Sequence, residues 1–181
     1  MVVSEDPMET VLIVAIFSRM EEAFLWARQR IEDRWGAIRL ESPRFDFNET
    51  SYYTEAMGSQ LKKQFWLING LYDPMRLSEH KRESGLWEQE YANLFPSEVA
   101  RPLNLDPGYV TLNKLVLAST KDRAHRIYVG QGVFAEVTMR YVGGWQYYPW
   151  TYPDYQRPLS TEFFTACRKQ LNALRSQAKH Q

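Results

Sequence analysis

Thr10 to Phe17 is an unbroken apolar run, rich in valine and isoleucine and without polar alternation. Such a run predicts a strand buried on both faces, and hence central in a sheet. Ser18 follows as the expected N-cap of a helix. Glu21 and Glu22 sit in its first turn, where the helix dipole favours negative charge. Met20, Phe24, Ala27, Ile31 and Trp35 then recur at helical spacing, and Gly36 ends the helix. Ala37 to Leu40 turns extended again, so the opening segment reads as a compact βα unit, with a parallel βαβ as one way to close it.

Pro43 to Gly58 lacks periodicity and reads as a long excursion, and Leu61 to Asn69 as a second, mostly buried strand. Asp73-Pro74 is a strong helix start, with Asp as cap and Pro at the first helical position. Leu77, Ser84, Trp87, Tyr91 and Leu94 mark that helix's inner face. Gly85 weakens it by about 1 kcal/mol relative to alanine, and Pro96 closes it. Asp106-Pro107-Gly108 reads as a tight turn, followed by a strand over Tyr109 to Ala118. His125 to Val129 and Val133 to Tyr141 flank Gly130-Gln131-Gly132, a pattern expected of a hairpin with a three-residue loop. That loop places Val129 opposite Val133, Ile127 opposite Ala135 and Arg126 opposite Glu136, and strand alternation then puts Val133, Ala135, Val137 and Met139 on one face and Phe134, Glu136, Thr138 and Arg140 on the other. An aromatic, proline-rich stretch runs from Trp145 to Tyr155. Ser160 then caps a helix with Phe163, Phe164, Cys167, Leu171 and Leu174 inward. The expected fold class is α+β: a single domain over residues 1–181, a mixed β-sheet with a β-hairpin and about three packed helices.

Composition narrows the classes. Lysine and arginine number 22, aspartate and glutamate 22, so the formal net charge is zero and a general polyanion binder is disfavoured. Aromatic residues at 14% exclude intrinsic disorder. The lone cysteine, Cys167, permits no intramolecular disulfide, and the simplest setting is a reducing cytoplasm. The longest apolar run, Val11 to Phe17, is too short to span a bilayer and lacks a preceding basic stretch, so neither a membrane span nor a signal peptide is expected.

Familiar nucleotide and metal motifs are missing. No Gly-Lys-Ser or Gly-Lys-Thr occurs. Thr120-Lys121-Asp122 lacks the residue that the guanine-reading motif needs between lysine and aspartate. Phe17-Ser18-Arg19 stands where a dinucleotide fingerprint would follow the first strand, and His80, His125 and His180 are too scattered for a zinc signature. What remains is a density of reactive types between Arg101 and Tyr155. Arg126 and Arg140, assisted by Lys121, Lys114 and Arg101, are the expected anion holders. His125 is the candidate acid/base, and Glu136 or Asp106 the candidate base or metal positioner. Trp150 and Asp154 lie in the aromatic stretch as further ligand-binding candidates. Each has a plainer reading. Arg126 and Glu136 make a cross-strand pair, His125 bonds a neighbour at a strand end, Asp106 braces its turn, and Asp154 forms one. Cys167 reads as a small buried hydrophobe.

The run RPLNLDPGYVTLNKLVLASTKDRAHRIYVGQGVFAEVTMRY, Arg101 to Tyr141, resembles the signature of a prokaryotic family known as domain of unknown function 4416. WTYPDY, Trp150 to Tyr155, is similar to it too, as is YYTEAMG, Tyr52 to Gly58, where Ala56 follows Glu55 at a place the family gives to an acid. The resemblance covers nearly the whole chain. It implies no established activity and no assigned catalytic residues, it leaves any cofactor unknown, and the missing motifs conflict with the GTP-binding label that some members carry. Two functions are therefore expected in parallel. One is an anion-accepting cleft for a phosphorylated metabolite or nucleotide. The other is a non-catalytic interaction module whose charges are ion-paired and whose aromatic stretch meets a protein partner. An RNA platform of Trp145, Tyr147 and Trp150 is weaker, given the neutral charge. Oligomeric state and metal use stay open.

Overall fold

The computed structural model describes residues 9–47 and 54–178. Tyr52 and Tyr53 of the YYTEAMG motif lie outside them. The strands are β1 (Val11–Ser18), β2 (Ile38–Glu41), β3 (Phe45–Asp46), β4 (Lys62–Ile68), β5 (Asn104–Val110), β6 (Lys114–Ser119), β7 (Arg126–Gly130), β8 (Val133–Tyr141) and β9 (Trp145–Tyr147). The helices are α1 (Glu21–Arg34), the short α2 (Thr54–Met57), α3 (Leu77–Leu94) and α4 (Pro158–Ala178).

The strands form one sheet in the order β2-β4-β1-β5-β6-β8-β7, with β3 added to β4 and β9 to β8. The α+β class stands, with its hairpin. The sheet is antiparallel in every named pairing rather than mixed. The expected parallel βαβ is split. β4 lies between β1 and β2 and runs antiparallel to both, while β5 takes the other side of β1. The order β2-β4-β1-β5, with α1 and α3 as crossovers, is the ferredoxin-like double split βαβ, here extended sideways by β6, β8 and β7.

β1 explains why its sequence has no alternation. Leu12, Val14 and Ile16 pack under α1 and α3, with Phe24, Ala27, Ile31, Trp87 and Tyr91. Val11, Ile13 and Ala15 pack under α4, with Phe163, Phe164, Cys167 and Leu171. A strand between two helical layers must be apolar on both sides, and each such valine, isoleucine or leucine contributes about 1.5–3 kcal/mol on burial.

The local signals hold in part. Asp73 Oδ1 accepts from the Met75 amide at 2.9 Å, as its cap role predicts, and a 3-10 turn over Pro74–Arg76 leads into α3. α3 runs unbroken through Gly85, while Leu94 is exposed rather than inward. Ser18 is the last residue of β1 and not a helix cap. Its hydroxyl donates to the Pro102 carbonyl at 2.5 Å and accepts from the Met20 amide at 3.0 Å. Ser160 lies inside α4, which begins at Pro158, and donates to the Asp154 carbonyl at 2.6 Å.

The largest departure concerns Asp106-Pro107-Gly108. These residues are no turn but the middle of β5, paired with Ala15, Val14 and Ile13 of β1. The expected single strand over Tyr109 to Ala118 is instead the end of β5, a turn at Thr111–Asn113 and then β6. Gly108 is where β6 comes closest. A Cβ there would lie 2.4 Å from the Val116 carbonyl oxygen and 2.7 Å from Leu117 Cδ2. Pairing between β5 and β6 runs from Val110 opposite Leu115 to Gly108 opposite Leu117 and ends there. Pro107, with no N–H to give a ladder, stands immediately beyond. The two strands then run on unpaired, with a gap between Asn104–Asp106 and Ala118–Ser119.

The β7–β8 hairpin keeps the expected pairs Arg126 with Glu136 and Ile127 with Ala135, but Val133 faces Gly130, not Val129. The loop is the two-residue Gln131-Gly132, both with positive φ (56° and 76°), as a primed turn requires. A second irregularity, where Leu115 pairs with Met139 but Val116 with Val137, leaves Thr138 as an extra residue. Met139 therefore packs under α4 while Val133 belongs to the cluster on the other face, so the alternation expected along β8 breaks at Thr138.

Candidate functional site

A cavity of about 400 Å³ opens at the end of the sheet where β5 and β6 part. Its wall is built from the C-terminal ends of β1 and β6, the N-terminal ends of β4, β5 and β7, Lys81 of α3, and the Tyr152–Tyr155 stretch before α4. Among the described residues it carries six cationic side chains, Lys63, Lys81, Arg101, Lys121, Arg123 and Arg126, against three carboxylates, Asp106, Glu136 and Asp154.

Each carboxylate has a cation of its own. Lys63 Nζ donates to Asp154 Oδ2 at 2.5 Å with both side chains buried. Lys63 also lies 4.6 Å from the Tyr155 ring centre, 4.7 Å from Phe47, 5.3 Å from Phe17 and 5.5 Å from Phe65, so its ammonium is enclosed by aromatic faces. Lys81 Nζ donates to Asp106 Oδ1 at 2.7 Å and to the Leu105 carbonyl at 3.0 Å. Arg126 Nε donates to Glu136 Oε2 at 2.8 Å, and its Nη1 reaches the Ser119 hydroxyl (3.0 Å) and the Lys121 carbonyl (2.8 Å). Arg126 thus fixes the Ser119–Lys121 turn as well as its ion-pair partner.

A second tier holds this one in place. Asn104 Nδ2 donates to Asp106 Oδ2 at 2.8 Å, and Asn104 Oδ1 accepts from Arg101 at 2.7 Å. Arg101 also meets Glu88, whose other oxygen accepts from the Leu105 amide at 2.7 Å. Burial raises the Glu88 carboxyl above the ordinary range. For Asp106 burial acts the same way, but Lys81 outweighs it and holds this carboxyl below the ordinary range. For Lys81 burial alone would lower the ammonium, and Asp106 with Glu88 outweighs that and raises it. Both directions describe one retained ion pair. The Asp106 contribution to stability is therefore complete above about pH 4 and lost as pH falls through the depressed folded value. Asp106→Asn will remove that part of the acid limb from a curve of urea midpoint against pH. An acid limb identical to wild type would contradict the pairing.

Of the residues singled out from sequence, Asp106, Arg101, Lys121, Arg126, Glu136 and Asp154 meet at this cavity. The others do not line it. Arg140 is exposed, donates to Gln146 Oε1 at 2.9 Å and lies over Tyr148. Lys114 pairs with Arg140 across β6 and β8. The slip at Thr138 explains Arg140, because it breaks the alternation that would have put Arg140 on the same face as Glu136. His125 Nε2 is 3.0 Å from Glu136 Oε2, and its ring stacks on Trp150 at 4.8 Å. Trp150 Nε1 donates to the Val137 carbonyl at 3.0 Å. His125 and Trp150 therefore back Glu136 from behind the cavity wall. Glu136 is engaged by Arg126, His125 and the Thr138 hydroxyl (3.2 Å), which suits it to holding Arg126 rather than to taking a proton.

Lys63, Lys81, Phe17 and Phe47 were not read as site residues. Lys63 falls in the polar start of β4, Lys62-Lys63-Gln64, where nothing local marks it out. Lys81 lies on the inner face of α3, four residues after Leu77, and that was legible. Among the described residues no group of three or more histidine, cysteine or acidic side chains is placed to hold a metal ion, so the metal-positioning role considered for Glu136 and Asp106 has no further support. Cys167 is fully buried on the inner face of α4, and burial pushes its thiol far up, as expected of a core residue. Among the described residues no helix is long and apolar enough to cross a membrane.

Fold and site together define an α+β protein with a split-βαβ sheet and a cation-rich cavity at the open end of its β5–β6 seam. The chain matches the family model described as Domain of unknown function (DUF4416) over residues 8–171, and it belongs to that family. Comparison with curated proteins and with solved structures gives no match.

Proposed function

We propose that the cavity binds a small phosphorylated ligand. The observation that carries this reading is the charge of one enclosed wall: among the described residues six cationic side chains line it against three carboxylates. Burial lowers the Lys121 ammonium, and Arg123 and Arg126 lower it further, which is what crowded like charges do to one another. An anion entering the cavity relieves that crowding. The hydroxyls of Ser119 and Thr120 sit beside the same cations and can donate to phosphate oxygens. The volume suits a metabolite or a mononucleotide, not a polymer. The proposed setting is the cytoplasm, in keeping with a single, buried thiol.

Calorimetric titration with inorganic phosphate and with phosphomonoesters tests the reading. The wild type is expected to bind, and the doubly substituted Lys121→Gln/Arg123→Gln protein to bind at least about tenfold more weakly, because two charge-assisted contacts are lost. Absence of binding to every phosphate compound by the wild type would remove the proposal.

One observation favours the rival, a non-catalytic module held by its charges: each cavity carboxylate already has a cationic partner. Under that reading phosphate has no effect on thermal stability, and a protein partner covers the aromatic stretch.

A further inference from the structure

The three cavity carboxylates are not equivalent. The Glu136 side chain is 4% exposed and that of Asp154 1%, whereas Asp106 is 27% exposed and is the one a ligand can touch. Asp106 is also aimed. Lys81 holds Oδ1 and Asn104 holds Oδ2, and Arg101 in turn fixes Asn104, so the carboxylate cannot swing away. Each oxygen accepts one of these hydrogen bonds and keeps room for another. An ionised, oriented acceptor on an otherwise cation-rich wall makes two demands of whatever fills the cavity. It rewards a hydroxyl, which donates to it, and it repels a second negative charge.

We infer that the phosphorylated ligand is a polyol or sugar phosphate whose uncharged, hydroxylated end donates to Asp106, with its phosphate at the Lys121–Arg123–Arg126 rim. This rests on the phosphate-binding reading of the same cavity. The register fits the division. Asp106 lies two residues beyond the last β5–β6 pair and Ser119 two residues beyond it on the other strand, so hydroxyl acceptor and phosphate rim stand on the two lips of the same gap. The exposed Tyr152 ring and the half-buried Leu117 line the same space and offer apolar surface for the carbon skeleton.

The test uses four probes on the full chain: inorganic phosphate, ethyl phosphate, ribose 5-phosphate and 3-phosphoglycerate, each titrated calorimetrically. The expected wild-type order puts ribose 5-phosphate about tenfold or more ahead of ethyl phosphate, as a hydrogen bond to a charged acceptor provides, with 3-phosphoglycerate behind ribose 5-phosphate. In Asp106→Asn that preference collapses while inorganic phosphate binds as well as before or better. Should the single substitution unfold the protein by stranding the Lys81 ammonium, Lys81→Met/Asp106→Asn removes both charges and reads the same preference. Equal affinity of the wild type for ethyl phosphate and ribose 5-phosphate, or a preference that survives the loss of Asp106, overturns the inference and leaves phosphate binding intact. Failure of all four probes overturns the phosphate reading itself.

Discussion

Gly108→Ala lowers stability by about 3 kcal/mol, and Gly108→Val prevents folding at ordinary temperature. The cause is contact, not backbone conformation. A Cβ at this position lies 2.4 Å from a carbonyl oxygen of β6 and 3.3 Å from Leu117 Cα, and neither is a flexible side-chain end that can move aside. To admit a methyl group, β5 and β6 must separate over their only paired stretch, Val110 to Gly108 against Leu115 to Leu117, which joins the ferredoxin-like half of the sheet to its extension. Gly85→Ala is the matched control. Gly85 lies within α3 with nothing within 4 Å of a new Cβ, and alanine there adds up to about 1 kcal/mol. The two urea midpoints should move in opposite directions. An unchanged midpoint for Gly108→Ala would mean that the seam is not tight.

The second large effect belongs to the Lys63–Asp154 pair. Lys63→Met and Asp154→Leu each cost about 3–5 kcal/mol, because each leaves a buried charge without its partner. Lys63→Met/Asp154→Leu costs far less than their sum, since no charge is left to desolvate and the aromatic enclosure of Lys63 accepts an apolar chain. The pair joins β4 to the turn before α4, so its loss also loosens the strap that bounds the cavity. Additive effects in the double-mutant cycle would show the two charges to be uncoupled and would make the pair an incidental contact.

The same pair shows how far the sequence could be read toward the site. Asp154 was singled out, because a carboxylate in an aromatic stretch is conspicuous. Its partner lies 91 positions away, between Lys62 and Gln64 at the polar start of β4. Reading Lys63 as a site residue would have required knowing that β4 runs beside β1 and points that side chain at the strap. Arg126, Glu136 and Asp106 were legible as candidates from the density of charged types between Arg101 and Tyr155. Arg140 was placed wrongly by assuming unbroken alternation, which one extra residue at Thr138 overturns without leaving a mark in the local sequence.

By itself the sequence determined the central apolar strand, the three long helices, the β7–β8 hairpin and the α+β class. All of these follow from periodicity, apolar runs and glycine placement within segments of ten to twenty residues. It also carried the charge density from which the cavity is made. Only the tertiary structure decided that Asp106-Pro107-Gly108 is strand rather than turn. A neighbour on each side, β1 along its length and β6 up to Gly108, supplies the pairing that outweighs a local turn preference. It alone decided strand order, since β4 enters between β1 and β2 through contacts that no local pattern encodes. And it alone chose which charges share the hollow, because that depends on where two strands stop pairing and on a one-residue slip across them.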